Sequence, residues 1–346
     1  MRLRYRFSLA AVAAATLLVG GPAATPAFAA GTPLPAHVYA PYYETYLAPN
    51  TPSITTTAQQ SGAKYFSLAF LQATSKGSCS IDWNSNSSQP LGYYNSDIAS
   101  LRAMGGDVVP TFGGFSADNG GKEIADSCTN VNQIAADYES VITTLGVTRL
   151  DMDVEAKSLN NTAGIDRRNK AIAMTQAWAA SQGIPLQIQY TIPVEQYGLD
   201  PNGMAVLQNA VANGVKVSSV NIMVFDYYIA GEGVVNMGQA AINAATNTHA
   251  QLATIFPNLT PAQIWNMEAM TMMPGIDDYP KKTEVTYLAD AQTMLNFAQA
   301  NGMNFLSIWA IQRDNGGCPG ARGKNTCSGI VQNTWDFSHL LEPFTS

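Results

Sequence analysis

Charge is scarce in this sequence. Asp, Glu, Lys and Arg make up 12% of its 346 residues, alongside only three histidines and four cysteines. Acidic residues outnumber basic ones, 25 to 18, for a formal charge of −7. A negative surface repels nucleic acid and anionic lipid, which argues against both as partners. The cysteines form no C-x2-C pair and no histidine lies near one in sequence, so a zinc site has little to build on. His37, His249 and His339 accompany no serine or cysteine nucleophile motif, which leaves a catalytic triad without support. No G-x-G-x-x-G follows the first expected strand and no G-x-x-x-x-G-K loop occurs, so the two common phosphate cradles are missing. No apolar run is long enough to cross a bilayer.

What is present begins with a processing segment. Arg2, Arg4 and Arg6 precede an apolar run from Phe7 to about Gly20, and Ala27-Phe28-Ala29 has the A-x-A form of a cleavage site. This is the pattern of a signal peptide over residues 1–29, and it predicts a secreted, extracellular protein. Loss of the three leader arginines takes the formal charge of the mature chain from −7 to −10. An even cysteine count in an exported chain suggests two disulfides. Cys318 and Cys327 share one Gly-rich loop and pair naturally, which leaves Cys79 for Cys128.

Eight segments read as buried strands, rich in β-branched and aromatic residues: 37–43, 64–71, 107–114, 147–155, 185–193, 219–228, 263–273 and 305–314. Amphipathic helical patterns lie between them, clearest at 131–145, 165–182, 204–213, 237–255 and 287–301. Eightfold alternation at this length predicts an α/β fold, a (β/α)8 TIM barrel, as a single catalytic domain over 30–346; an open doubly wound sheet is the runner-up. No appended carbohydrate-binding module or low-complexity linker is evident, and a monomer is expected.

In such a barrel, catalytic groups sit at the C-terminal ends of strands. The fourth expected strand ends Leu150-Asp151-Met152-Asp153-Val154-Glu155. Residues two apart share a strand face, ~6.6 Å along the chain. Asp151, Asp153 and Glu155 therefore all point toward the barrel axis. Like charges this close cannot all ionise, so at least one carboxyl is expected to hold its proton near neutral pH and to serve as a general acid. The rival readings are a solvent-facing strand edge and a divalent-cation site, although the loop glycine and dense oxygen ligands of a calcium loop are missing.

Here the chain resembles glycoside hydrolase family 18, the chitinases. The family motif D-G-x-D-x-D-x-E matches Thr148 to Glu155 at its last three acidic positions, with Thr148-Arg149 in place of the leading D-G. Thr111-Phe112-Gly113-Gly114 is similar to the strand-three S-x-G-G, and Met223-Val224-Phe225-Asp226 to the strand-six M-x-Y-D. Trp309 matches the strand-eight tryptophan, and Met272-Met273-Pro274-Gly275 with Asp277 resembles the end of strand seven in a bacterial subgroup. The resemblance implies Glu155 as proton donor, Asp153 turning to the substrate acetamido group, and Asp151 tuning Asp153. It further implies a substrate-binding set of Gly114, Tyr190, Met223, Asp226, Tyr227 and Trp309, with Trp309 as a platform for the reacting sugar.

Phe225 stands where the family has a tyrosine hydroxyl, which Tyr227 or Tyr228 could supply. Tyr42, Tyr43 and Glu44 either line the cleft or merely end their strand. The resemblance implies hydrolysis of chitin and related N-acetylglucosamine oligosaccharides, with no cofactor and no metal. The alternatives are an endo-β-N-acetylglucosaminidase acting on N-glycans and a non-catalytic chitin-binding barrel, the second disfavoured by the presence of Glu155.

Overall fold

A computed structural model describes residues 33–227, 236–278, 284–322 and 324–346. The expected leader and Tyr228 lie outside them. The strands are β1 (Val38–Tyr39), β2 (Tyr42–Glu44), β3 (Tyr65–Ala73), β4 (Ile81–Trp83), β5 (Asp107–Gly113), β6 (Arg149–Asp153), β7 (Gln187–Pro193), β8 (Ser219–Met223), β9 (Glu268–Met272), β10 (Gly275–Ile276), β11 (Val285–Thr286) and β12 (Phe305–Ile308).

The order β1-β12-β9-β8-β7-β6-β5-β3-β2 is parallel throughout. β1 and β2 are two halves of one strand. Val38 pairs with Phe305 of the last strand, whereas Tyr42 pairs with Ser67 of the second. Pro41 has no N–H to give at the switch, but its carbonyl still accepts from Ser67 at 3.0 Å. Changing partners in mid-strand closes the ring, and the fold is the (β/α)8 barrel.

The five expected helices form, at Val131–Leu145, Thr162–Ser181, Pro201–Ala212, Met237–Ile255 and Leu288–Asn301. The stretch 219–228 leaves the sheet after Met223, and two further strand expectations are corrected. The stretch 263–273 begins as helix Pro261–Met267, because Thr260, Pro261 and Gln263 make a capping box with proline at the first turn. The stretch 305–314 leaves the sheet after Ile308 and makes a single 3-10 turn at Ile311–Arg313. Both disulfides join the expected partners: Cys79–Cys128, with Cα atoms 4.7 Å apart, and Cys318–Cys327 at 5.9 Å.

Alternation along each strand divides the core. Ile188, Tyr190 and Ile192 point out to the helices, while Gln189 and Thr191 point into the barrel, and all five are buried. The barrel interior is polar and hydrogen-bonded. Asn221 Nδ2 donates to Thr191 at 3.0 Å and Thr271 at 2.8 Å, and the Thr271 hydroxyl donates back to Asn221 Oδ1 at 3.0 Å. Outside the barrel, Arg168 and Glu123 form a bidentate pair with contacts of 2.9 and 3.3 Å, and both side chains are only 1% exposed. Removing one partner of such a pair strands a buried charge. Arg168→Met is expected to lower unfolding free energy by roughly 3–5 kcal/mol, measured by guanidinium denaturation. A loss under about 1 kcal/mol would mean that Glu123 simply takes up a proton or water when its partner leaves.

Candidate active site

The C-terminal ends of the strands surround a cavity of about 570 Å³. Asp153, Glu155, Met223, Phe225, Asp226 and Trp309 line it, together with Tyr46, Phe70, Gln72, Phe115, Met273 and Asp278. Strand parity puts the three carboxylates of β6 on its inner side. Asp151 lies opposite Thr111 and Gln189, and Asp153 opposite Gly113 and Thr191.

The three differ in depth, and so in chemistry. Asp151 is fully buried and well supplied with donors: Tyr42 Oη at 2.7 Å, Thr191 Oγ1 at 2.7 Å and Thr111 Oγ1 at 3.0 Å. Burial raises its pKa and these hydrogen bonds pull it back. Asp153 is also buried, but its Oδ1 finds no partner. Burial pushes its carboxyl well above the usual range, and the charges of Glu155, Asp151 and Asp118 push it further. Glu155 is half-buried at the cavity wall. Burial raises it to about 7, with Asp278 adding to the rise and a hydrogen bond from the Phe115 N–H opposing it. A carboxyl so placed exchanges a proton near neutral pH.

Trp309 is half-buried beneath this group. Phe70 stacks on it at 5.5 Å and 27°, and Tyr42 meets it edge-on at 5.4 Å and 61°. A fixed aromatic plane facing a polar cavity suits the apolar face of a sugar ring. Gly114 does not line the wall. With φ +85, a Cβ there would come within 2.5 Å of the Phe70 ring, so glycine lets Phe70 lie flat. Tyr42 is an interior residue bonded to Asp151, whereas Tyr43 turns outward and donates to Pro52 O at 2.7 Å. Glu44 is buried and accepts from the Tyr46 hydroxyl; burial raises it to about 7.

Besides Gly114, two expected site residues do not reach the cavity. Tyr190 has the wrong parity: its ring faces the helices and its hydroxyl donates to Asn169 Oδ1 at 2.6 Å. Thr191, the next residue, is the one turned inward. Tyr227 is buried, and its N–H donates to Glu284 Oε2 at 3.1 Å. Its buried side chain feels the charges of Glu284, Glu195 and Asp277 and does not line the cavity, so it does not replace the hydroxyl absent at Phe225.

Asp226 does line the cavity, as part of a second acidic group with Asp277 and Asp278 whose oxygens lie within 4.8 Å of one another. Among the described residues this is the set that could hold a cation; the Asp151–Asp153–Glu155 run is not drawn that tightly together. The cluster already has other means of handling its charge. Burial and the two neighbouring carboxylates push Asp226 up to about 11, so it keeps its proton, and the buried Arg313 guanidinium feels all three acids. Asp118, Asp278, Phe70 and Phe115 escaped sequence reasoning. Of these, Asp278 adjoins the noted Asp277 and Phe115 the noted Gly114, whereas Asp118 and Phe70 come to the site only through tertiary folding.

No protein-family model matches the chain. It is 34% identical over 328 residues, 91% of its length, to the "Probable bifunctional chitinase/lysozyme" of Escherichia coli, of which it covers 36%. It is 36% identical over 298 residues, 82% of its length, to "Endochitinase 11" of Metarhizium anisopliae, of which it covers 54%. The chain thus spans a third to a half of these relatives. Among solved structures, the catalytic domain of the hyperthermophilic chitinase from Pyrococcus furiosus matches with a TM-score of 0.78 at 28% identity, over 90% of this chain and 96% of that one. A family GH18 chitinase from Chromobacterium violaceum shares the fold at a TM-score of 0.57 and 14% identity, over 90% of this chain and 84% of that one.

A carboxyl with a raised pKa is protonated below that value and charged above it. Any reaction that needs the Glu155 proton should therefore fall away as pH rises through about 7. Asp278→Asn removes a repelling charge and is expected to move this limb of the kcat/KM profile to lower pH. A limb that stays in place would mean that another group controls it.

Proposed function

The chain belongs to glycoside hydrolase family 18, and from that premise we propose that it is a chitinase that cleaves β-1,4 links between N-acetylglucosamine units with retention. One observation carries this reading above the rest. Glu155, with its pKa raised to about 7, faces the same cavity as the unpartnered carboxyl of Asp153 and the indole of Trp309.

In this reading Trp309 carries the reacting sugar and Glu155 donates a proton to the glycosidic oxygen. The substrate's 2-acetamido oxygen attacks the anomeric carbon as the leaving group departs, giving a cyclic oxazolinium ion. Asp153 accepts a hydrogen bond from the acetamido N–H, a bond that strengthens as positive charge develops there. Glu155, now ionised, takes a proton from water, which opens the ring from the face the leaving group vacated. Two inversions at one carbon give retention. A nucleophile carried by the substrate needs no matching protein carboxylate and gains the advantage of intramolecular attack. Asp151, bonded by Tyr42, Thr111 and Thr191, stays fixed and disfavours a second charge on Asp153.

Export belongs to the same proposal. The two disulfides suit an oxidising compartment, and residues 1–29 have the sequence of a cleavable leader.

Chitin hexasaccharide is the test substrate, followed by real-time NMR. The first new reducing end should be the β-anomer, and fully deacetylated chitosan oligomers should be inert. An initial α-anomer, or turnover of the deacetylated chain, would mean that water or a protein group attacks directly. Glu155→Gln should lower kcat by at least about 100-fold while still binding the oligosaccharide. Release of N-glycans from a high-mannose glycoprotein, with chitin hexasaccharide left intact, would move the assignment to an endo-β-N-acetylglucosaminidase.

A further inference from the structure

Glu155 lies just beyond the regular part of β6. The last ladder bond is from the Val154 N–H to Thr191 O at 2.9 Å, and the residue after Glu155, Ala156, has φ +43. That is the left-handed region, uncommon for a residue with a Cβ. The acid thus sits between the end of a sheet and a strained turn, where the ladder offers its backbone nothing. Its N–H is taken instead by a side chain: Asp118 Oδ2 accepts it at 2.6 Å.

Asp118 belongs to the short helix Phe115–Gly120, which follows Gly113-Gly114. The same helix holds Glu155 at two points and the turn after it at a third. The Phe115 N–H bonds its carboxylate, Asp118 bonds its N–H, and the Lys157 ammonium of the following turn donates to Asn119 O at 3.2 Å. Asp118 is itself anchored. It is 1% exposed and its N–H donates to Gly114 O at 3.0 Å; burial and the Glu123 charge push its carboxyl well above the usual range, against a partial pull from Arg168 and from the Glu155 N–H. Gly113 allows the close approach, since a Cβ there would lie 2.0 Å from Asp153 O and 3.2 Å from Asp118 Oδ1. Asp118 does not line the cavity.

We propose that Asp118 is a positioning residue for catalysis: it fixes the main chain at Glu155, and so the direction of the acid, by a bond from its side-chain oxygen to the amide that replaces the missing strand partner. The proposal deepens the reading of Glu155 as proton donor and rests on it. A buried side-chain oxygen that takes an otherwise unpaired N–H spares the cost of leaving that donor unsatisfied. The need for such a bond follows from proton transfer, where a displacement of about 1 Å can cost about 100-fold in rate.

The test uses Asp118→Asn, whose amide oxygen can still accept, against Asp118→Ala and Asp118→Leu, which cannot. Leu keeps the buried volume should Ala prove unstable. With chitin hexasaccharide, kcat should fall by about 30-fold or more in Ala and Leu, with KM within about twofold, and Asn should recover most of the rate. Hydrogen exchange supplies a readout that needs no activity: the Glu155 amide should exchange faster in Ala and Leu, and stay protected in wild type and Asn. Wild-type kcat in Leu, a loss confined to KM, or equal damage in Asn and Leu would overturn the proposal. If wild type fails to cleave the hexasaccharide, the chitinase reading falls and with it the catalytic role. Unchanged protection of the Glu155 amide in Leu would remove the positioning role itself.

Discussion

The structure turns on one electrostatic constraint, which is how to keep three carboxyl groups on the inner face of a single strand. At strand spacing, Asp151, Asp153 and Glu155 cannot all be charged in a buried setting. The barrel resolves this by treating each differently. Asp151 is surrounded by hydroxyl donors from β2, β5 and β7, which favour its ionised form. Asp153 has no such donors, and burial together with two flanking acids disfavours charge on it. Glu155 reaches the wall of the cavity, where burial raises it to about 7. Unequal donors along one strand thereby become unequal acidity.

That inequality explains why the barrel interior is polar where most cores are apolar. Tyr42, Thr111, Thr191, Asn221 and Thr271 make a hydrogen-bonded lattice around Asp151, and every one of them is on an inward strand position. A partly satisfied network of this kind would be costly, whereas a filled one makes the interior rigid. The second acidic group meets the same problem by another route. Asp226 keeps a proton between Asp277 and Asp278, and Arg313 sets a permanent positive charge beside them.

The parity of β6, and so the inward set of acids, was legible because Met152 and Val154 alternate with the carboxylates. The barrel was legible from the eightfold alternation, and the disulfide partners from the shared loop of Cys318 and Cys327. Tyr190 was misplaced because β7 reads Gln-Ile-Gln-Tyr-Thr-Ile, a run in which large apolar and polar side chains both alternate; the outward face belongs to the isoleucines, and Tyr190 is in step with them. Tyr227 lies beyond the end of β8, where strand parity no longer applies. The helix Pro261–Met267 was hidden inside an apolar stretch, although its Thr260-Pro261 start was a visible signal. Asp118 could not be found from sequence at all. It sits 37 positions from the residue whose N–H it accepts, and nothing local marks it as a backbone acceptor rather than a surface helix residue.

The departure at Arg149 follows from the same constraint. Where the family motif has glycine, this chain places an arginine two residues below Asp151, on the same inward face and 3% exposed. The floor of the barrel is built to take it. Its Nε donates to Gln187 Oε1 at 3.0 Å, and its guanidinium lies 5.7 Å from the centre of the Phe305 ring. Burial lowers its pKa to about 10 and Asp151 holds it up, so it remains charged at neutral pH. An arginine and an aspartate stacked along one strand attract, and Asp151 in turn favours the charged form of Arg149. The substitution thus adds a positive end to the column of acids, which becomes Arg149, Asp151, Asp153 and Glu155 from floor to mouth. In that order the fixed charges lie deepest, and the group whose proton is most easily exchanged lies nearest the cavity.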